Sequence, residues 1–260
     1  MTAFLVVSAA LVGLLIGSFL NVVIWRVPRN ESVVSPPSAC PACGNQITPR
    51  DNVPVLSWLL LRGRCRHCGE RISGRYPAVE LGTAIVFALA AWHFGLSWEL
   101  PAFLYLAAIS IALALIDLDV HRLPNSIVLP SYAVAGLLLS GVALLQGDPI
   151  VVVRLAAGGL ALYAFYFVLA IIYPSGMGFG DVKLAGVLGM YLGFLGWPQV
   201  VVGAFLAFLL GGVVGGFLMV IRKVGRKSKI PFGPFMLLGG WLGIFFGQGV
   251  ADWYLGLVGI

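Results

Sequence analysis

Charge is what this chain has least of. Only 10% of its 260 residues are Asp, Glu, Lys or Arg, whereas 60% are hydrophobic. A soluble domain carries about a quarter of its residues as charges, so a soluble globular enzyme is excluded. Cysteine is also scarce: there are four, all between positions 40 and 68. The first apolar run lacks a small-residue cleavage site with a charged region before it. That argues for a retained span, not a removed secretory signal.

What the chain does have is long apolar runs, each about the length of a membrane span. Eight spans fit, at roughly 4–26, 77–97, 100–117, 126–146, 150–173, 182–196, 198–221 and 233–255. The sixth is short and glycine-rich. The fold class expected is an all-α polytopic membrane protein. It has about eight transmembrane helices and a small cytoplasmic zinc-binding segment after the first.

The basic residues set an orientation. Arg26, Arg29, Arg50, Arg62, Arg64, Arg66, Arg71 and Arg75 lie in or beside the first connection, Arg122 in the third and Lys183 in the fifth. Arg222, Lys223, Arg226, Lys227 and Lys229 lie in the seventh, and only Arg154 lies near the other side. The positive-inside bias places these odd-numbered connections in the cytoplasm and both termini outside. The net charge of +6 is thus mainly a topology signal. Contact with anionic lipid heads accounts for the rest, with no nucleic acid needed.

All four cysteines fall in the cytoplasmic segment 28–76, as Cys40-Pro-Ala-Cys43 and Cys65-Arg-His-Cys68. Paired CxxC turns at this spacing are the pattern of a four-cysteine zinc site. Gly44 and Gly69 follow the pairs where such knuckles bend. Disulfides are disfavoured on the reducing side of the membrane, and His67 reads as a surface residue, not a fifth ligand. A site closed by four thiolates is structural. Its metal supplies folding energy to a segment too small for a large core.

Two aspartates stand at the ends of apolar runs: Asp117 before the turn at Pro124, and Asp181 after Gly178 and Gly180. Carboxylates at the edge of hydrocarbon are costly and point to function. Asp119 competes with Asp117, but residues two apart on a helix face different ways, and Asp117 sits deeper, against Leu113 and Ile116. Glycines let the backbone near Asp181 leave helical geometry. Two carboxylates sharing one water suit aspartyl proteolysis. The ionised one takes a proton from water and the protonated one polarises the peptide carbonyl, because two like charges side by side favour a singly protonated pair. Ordinary interfacial aspartates solvated by water are the alternative.

Gly17-Ser18-Phe19-Leu20-Asn21, both CxxC pairs and Arg75-Tyr76-Pro77-Ala78-Val79-Glu80 occur in that order. Ile116-Asp117, Leu123-Pro124, Gly176-Met177-Gly178-Phe179-Gly180-Asp181 and Pro231-Phe232-Gly233-Pro234-Phe235 follow. Together they resemble the type IV prepilin peptidases, the bifunctional leader peptidase/N-methyltransferases of the GxGD aspartyl protease group. The resemblance implies that Asp117 and Asp181 are the catalytic pair and that they cut the basic leader of prepilin or pseudopilin precursors at the cytoplasmic face of a bacterial inner membrane. It implies that the new N-terminal amine, typically of phenylalanine, is then methylated from S-adenosylmethionine. The cysteine-bearing segment is associated with that second activity, and Gly63 in Leu61-Arg62-Gly63-Arg64-Cys65 is a candidate for it. Gly63 serving only a turn, Glu80 only pairing with Arg75 and Asn21 only bridging helices are the plainer roles. Asn125 departs from the acidic residue the family commonly has after Pro124.

The chain thus divides into a first transmembrane helix (1–27), a cytoplasmic four-cysteine zinc segment linked to methylation (28–76) and a seven-helix membrane aspartyl peptidase domain (77–260). The alternatives are a peptidase without methylation and a proton-coupled transporter. The two halves show no convincing internal repeat of the kind common in transporters.

Overall fold

The computed structural model describes residues 2–174, 176–221 and 230–259. Among these are nine α-helices and no strand. Helix α1 is Thr2–Arg26, α2 Leu56–Leu60, α3 Arg75–Phe94, α4 Leu100–Val120 and α5 Asn125–Leu145. Helix α6 is Pro149–Ile172, α7 Phe179–Leu195, α8 Trp197–Val220 and α9 Gly233–Val258. Every apolar run read from the sequence is a helix. Seven are long and apolar enough to cross a membrane, which makes this a multi-pass membrane protein. The exception is α7, with 17 residues. At 1.5 Å per residue it covers about 25 Å, short of a hydrocarbon core of about 30 Å. It tolerates this because it is enclosed by protein: Leu184, Ala185, Leu188, Tyr191 and Leu192 are all buried.

The basic run Arg222, Lys223, Arg226, Lys227 and Lys229 lies outside the described residues.

Two compact units divide the chain, Met1–Ala112 and Leu113–Ile260. Packing groups α3 and the first part of α4 with α1. In the first unit α1 lies along α3, where small residues admit close backbone approach. A Cβ on Gly13 would lie 2.7 Å from the Cα of Ala84, and one on Gly17 would lie 2.7 Å from the Cα of Glu80. Phe94 and Phe103 stack with centroids 4.0 Å apart where α3 turns into α4.

The second unit uses the same device twice. A Cβ on Gly158 of α6 would lie 2.6 Å from the Gly189 carbonyl oxygen of α7, and one on Gly243 of α9 would lie 2.7 Å from the Cα of Gly203 on α8. Lipid tails are as apolar as leucine, so such close packing, not hydrophobic exclusion, drives these helices together. Both ends of α7 are tied. The Arg154 guanidinium donates to the carbonyls of Gly193 and Phe194, at 2.8 and 2.6 Å, satisfying the C-terminal end. Near the other end the Tyr132 hydroxyl donates to the Lys183 carbonyl at 2.6 Å.

Candidate active site and metal centre

Asp117 lies in the last turn of α4 and is 5% exposed. Its Oδ2 accepts the backbone N–H of Gly233, the first residue of α9, at 3.0 Å. Pro234 follows immediately. Proline suits the first turn of a helix, where no N–H partner is available anyway, so the Phe-Gly-Pro sequence starts α9 and leaves the Gly233 N–H pointing out for a carboxylate. A Cβ at Gly233 would stand 2.7 Å from that oxygen. Asp119, two residues on, is exposed.

Asp181 is the third residue of α7. Its Oδ2 reaches back to accept the N–H of Gly178, the residue capping that helix, at 2.9 Å. This is the returning half of a capping box. Both carboxylates are therefore held by one oxygen against an amide at a helix start, where the dipole favours negative charge. Leu123 touches both places. A Cβ on Gly180 would lie 3.1 Å from the Leu123 Cβ, and one on Gly233 3.3 Å from its Cδ2.

An aromatic cluster stands on the Tyr166 side of Asp181. Tyr166 of α6 is fully buried, feels the Asp181 charge and packs on Phe208 and Phe232 at 5.3 and 6.3 Å between centroids. Lys183 spans the starts of α5 and α7. Its Nζ donates to the Asn125 side-chain carbonyl at 3.0 Å and lies 4.9 Å over the Phe179 ring. The Asn125 side chain thus accepts a charge-assisted hydrogen bond from the Lys183 ammonium. Reading the sequence missed Gly233 as a donor and Leu123 as the shared spacer. The Phe-Gly-Pro helix start was the visible signal for the first. For Leu123 there was none.

In the first unit the two CxxC turns are built alike. Cys40 N–H donates to Asn45 O and Gly44 N–H to Cys40 O; Cys65 N–H donates to Glu70 O and Gly69 N–H to Cys65 O. Isolated bridges join Ala39 to Gln46 and Arg64 to Arg71. Gly44 and Gly69 take left-handed φ of 70° and 74°, which glycine adopts without steric cost. The turns bring all four Sγ atoms within 4.8 Å of one another, with Cys40 and Cys68 at 3.8 Å. Four thiolates about 2.3 Å from a tetrahedral zinc are about 3.8 Å apart, so the donor set fits that ion.

The turns also prepare the thiols. Backbone N–H groups of Cys43 and Ala42 bring Cys40 down to about 7, and those of Cys68 and His67 lower Cys65. Cys68 goes the other way, to about 12. The Glu70 amide pulls it down, but burial and the neighbouring sulfurs outweigh that pull. A cation among the sulfurs removes that opposition. Arg66 braces the second turn, donating to Asp51 through Nε at 2.9 Å and Nη2 at 2.6 Å. That guanidinium holds the Asp51 carboxyl below its usual range.

Gly63, near this centre, has a φ of 66°. A Cβ there would lie 2.9 Å from the Trp58 ring, so the turn itself demands glycine. Glu80 is buried and accepts the Val55 N–H at 2.7 Å. The Asn21 side chain donates to the Tyr76 carbonyl at 3.2 Å, a bridge between α1 and α3.

A helical membrane protein with paired carboxylates tethered at helix starts and a four-thiol turn pair is the class these features define. Residues 11–94 match the bacterial peptidase A24 N-terminal domain, and residues 104–216 match the type IV leader peptidase family. The chain is 34% identical to the prepilin leader peptidase/N-methyltransferase of Pseudomonas aeruginosa, over 98% of this chain and 94% of that protein. It is 38% identical to the protein so named from Aeromonas hydrophila, over 94% and 92%. With that of Neisseria gonorrhoeae it shares 35% identity, over 93% and 91%. The chain belongs to the type IV leader peptidase family. No solved structure matches it.

Proposed function

We propose that this protein cleaves the basic leader of type IV prepilin-like precursors and methylates the N-terminus it exposes. Asp117 and Asp181 form the peptidase dyad; Cys40, Cys43, Cys65 and Cys68 hold one structural zinc ion; and the Gly63 corner serves methylation. The activities follow from the family, and that membership leaves the transporter reading without support. The observation that carries the dyad is the matched tethering of two carboxylates by the helix-start amides of Gly178 and Gly233, around one shared leucine.

The chemistry follows from that tethering. Each carboxylate has its Oδ2 engaged by an amide, and its Oδ1 can point at a water held between the pair. With one proton on the pair, the ionised carboxylate removes a proton from the water. The resulting hydroxide attacks the scissile carbonyl carbon, while the protonated partner donates to the carbonyl oxygen. Collapse of the tetrahedral intermediate breaks the C–N bond, and a proton from the dyad goes to the departing nitrogen. That nitrogen was an amide, with its lone pair delocalised into the carbonyl. Once released it is an α-amine, partly neutral near neutral pH, and only then a competent nucleophile. S-adenosylmethionine supplies the methyl group, so proteolysis precedes methylation.

Residues 28–76 form the methylation-linked zinc segment and 77–260 the peptidase domain. The arginine-rich first connection supports a cytoplasmic location for both activities, at the inner membrane, with both termini outside.

The test is a reconstituted assay on a prepilin, with product N-termini read by mass spectrometry. Asp117→Asn and Asp181→Asn are each expected to lower cleavage by about 10²-fold or more at normal protein level, and Asp119→Asn to retain it. Cleavage retained by Asp117→Asn but lost in Asp119→Asn would reassign the dyad.

A further inference from the structure

Pro54, Val55 and Leu56 make a turn that a β-branched residue almost never makes. Val55 has φ 60° and ψ −49°, and the Leu56 N–H donates back to the Pro54 carbonyl at 2.6 Å. This is the rarer, strained form of the γ-turn. For a valine such a φ is an outlier, and conformations of this kind persist only where the surroundings over-determine them.

The surroundings here are a buried carboxylate. Glu80 of α3 is 7% exposed, and its Oε2 takes the Val55 N–H at 2.7 Å. The Ser18 hydroxyl of α1 bonds the same carboxylate. It can do so because Gly17 lets α1 come within van der Waals reach of the Glu80 backbone.

The turn is not isolated. It launches α2, whose Leu59 N–H donates to the Val55 carbonyl at 3.0 Å. Trp58 of α2 donates from Nε1 to Ile72 O at 3.0 Å and lays its ring against Gly63. The Gly63 N–H in turn donates to the Trp58 carbonyl at 2.8 Å. One continuous line of contacts therefore runs from Glu80 through Val55 and Trp58 to Gly63.

We infer that Glu80 is a positioning residue for methyl transfer, holding the Val55 turn in its strained form so that Trp58 and Gly63 keep the shape that activity requires. This rests on the assignment of the Gly63 corner to methylation. Glu80 itself touches neither the amine nor the methyl donor in this role. Its effect is felt through the backbone.

The experiment measures methyl transfer to a pre-cleaved pilin, alongside cleavage of intact prepilin and zinc content, with full-length protein in lipid. Misplacement by about 1 Å costs up to about a hundredfold in rate. Glu80→Ala is expected to lower the methylation kcat at least about tenfold with pilin KM, cleavage and zinc unchanged. Glu80→Gln keeps a carbonyl acceptor for the Val55 N–H and is expected to retain most activity. Val55→Gly removes the cost of the positive φ, and in the Glu80→Ala background it is expected to recover much of the lost rate. Val55→Pro, which deletes the N–H and forbids the φ, is expected to reproduce the loss without touching the membrane helices. That variant answers the question if Glu80→Ala does not accumulate.

No recovery by Val55→Gly, Glu80→Gln as poor as Glu80→Ala, or parallel loss of cleavage overturns the inference. Gly63→Ala separates the two levels. If it is impaired while Glu80→Ala and Val55→Pro are not, only the Glu80 role falls. If it methylates normally, the assignment of the corner to methylation falls with it.

Discussion

Around Asp117 and Asp181 the scaffold is apolar helix packed on helix, with Tyr166, Tyr191, Leu184 and Met236 fully buried. Around Cys40 and Cys65 the scaffold is loop, and the only buried side chains between residues 28 and 74 are Cys40 and Ser57. The first site is held by close-packed backbones, so its order needs nothing but the fold. The second is held by hydrogen-bonded turns that converge four sulfurs, so its order depends on what those sulfurs bind. One site is thus ordered by packing and the other by turns whose sulfurs could hold a metal ion, and the two should fail in different ways.

The strongest way to break this comparison is to disable one site and read the other. Asp181→Asn is expected to reduce cleavage by about 10²- to 10⁴-fold, the usual worth of a positioned acid or base. The same protein given mature, unmethylated pilin should still methylate it, as mass spectrometry of the N-terminus would show. Absence of methylation in a folded, donor-binding variant would mean that the two sites are not independent.

Next comes metal. Native protein should contain about one zinc per chain, and replacing all four cysteines by serine should remove it. Structural zinc contributes on the order of 10 kcal/mol to small domains, so order should be lost in residues 28–74, α2 included, while the long helices survive. Limited proteolysis and hydrogen exchange would report that. A serine variant that keeps its zinc would defeat the assignment.

Gly233→Ala should be milder and confined to the peptidase. Its new methyl group would start 2.7 Å from the Asp117 Oδ2, pushing the carboxylate off its amide. Cleavage should fall about tenfold or more, while methylation of pre-cleaved pilin stays unchanged. Equal loss of both would show that packing in one unit governs the other.

The smallest effect concerns Asp51 and Arg66. The guanidinium lowers the Asp51 pKa from 3.8, so the pair stabilises the zinc segment above that value, and the benefit is lost as pH falls through the lower, folded value. The Arg66 side chain is 59% exposed, which screens the pair, so Asp51→Asn should destabilise the segment only slightly at neutral pH. Proteolysis of the segment should be slightly faster in the variant at neutral pH, and the difference should shrink as pH falls below 3.8. A large change at neutral pH would show that the brace matters more than its exposure suggests.

The helices were legible because a 20-residue apolar run in a charge-poor chain has few other fates. The paired thiol turns were legible because CxxC followed by glycine encodes both the sulfurs and the bend. Asp117 and Asp181 stood out as charges where charge is rare. The tethers were not legible. That Gly233 would donate to a carboxylate 116 residues earlier depends on tertiary packing, which no local pattern carries. The same holds for Glu80: no local pattern announces that it accepts the Val55 amide 25 residues earlier. The division at Ala112 was also invisible, because α3 and α4 read alike in composition, and only the small residues of α1 decide which helices it joins.

The shortness of α7 has a consequence for the surrounding lipid. Its 17 residues leave about 5 Å of a normal hydrocarbon layer unspanned, and Asp181 stands in its first turn. With Asp181 in the dyad proposed above, bilayer thickness would set how far a scissile bond descends from the headgroups to meet it: longer acyl chains would deepen the journey and shorter ones shorten it. On that reading the membrane would be part of the ruler that measures where a precursor is cut.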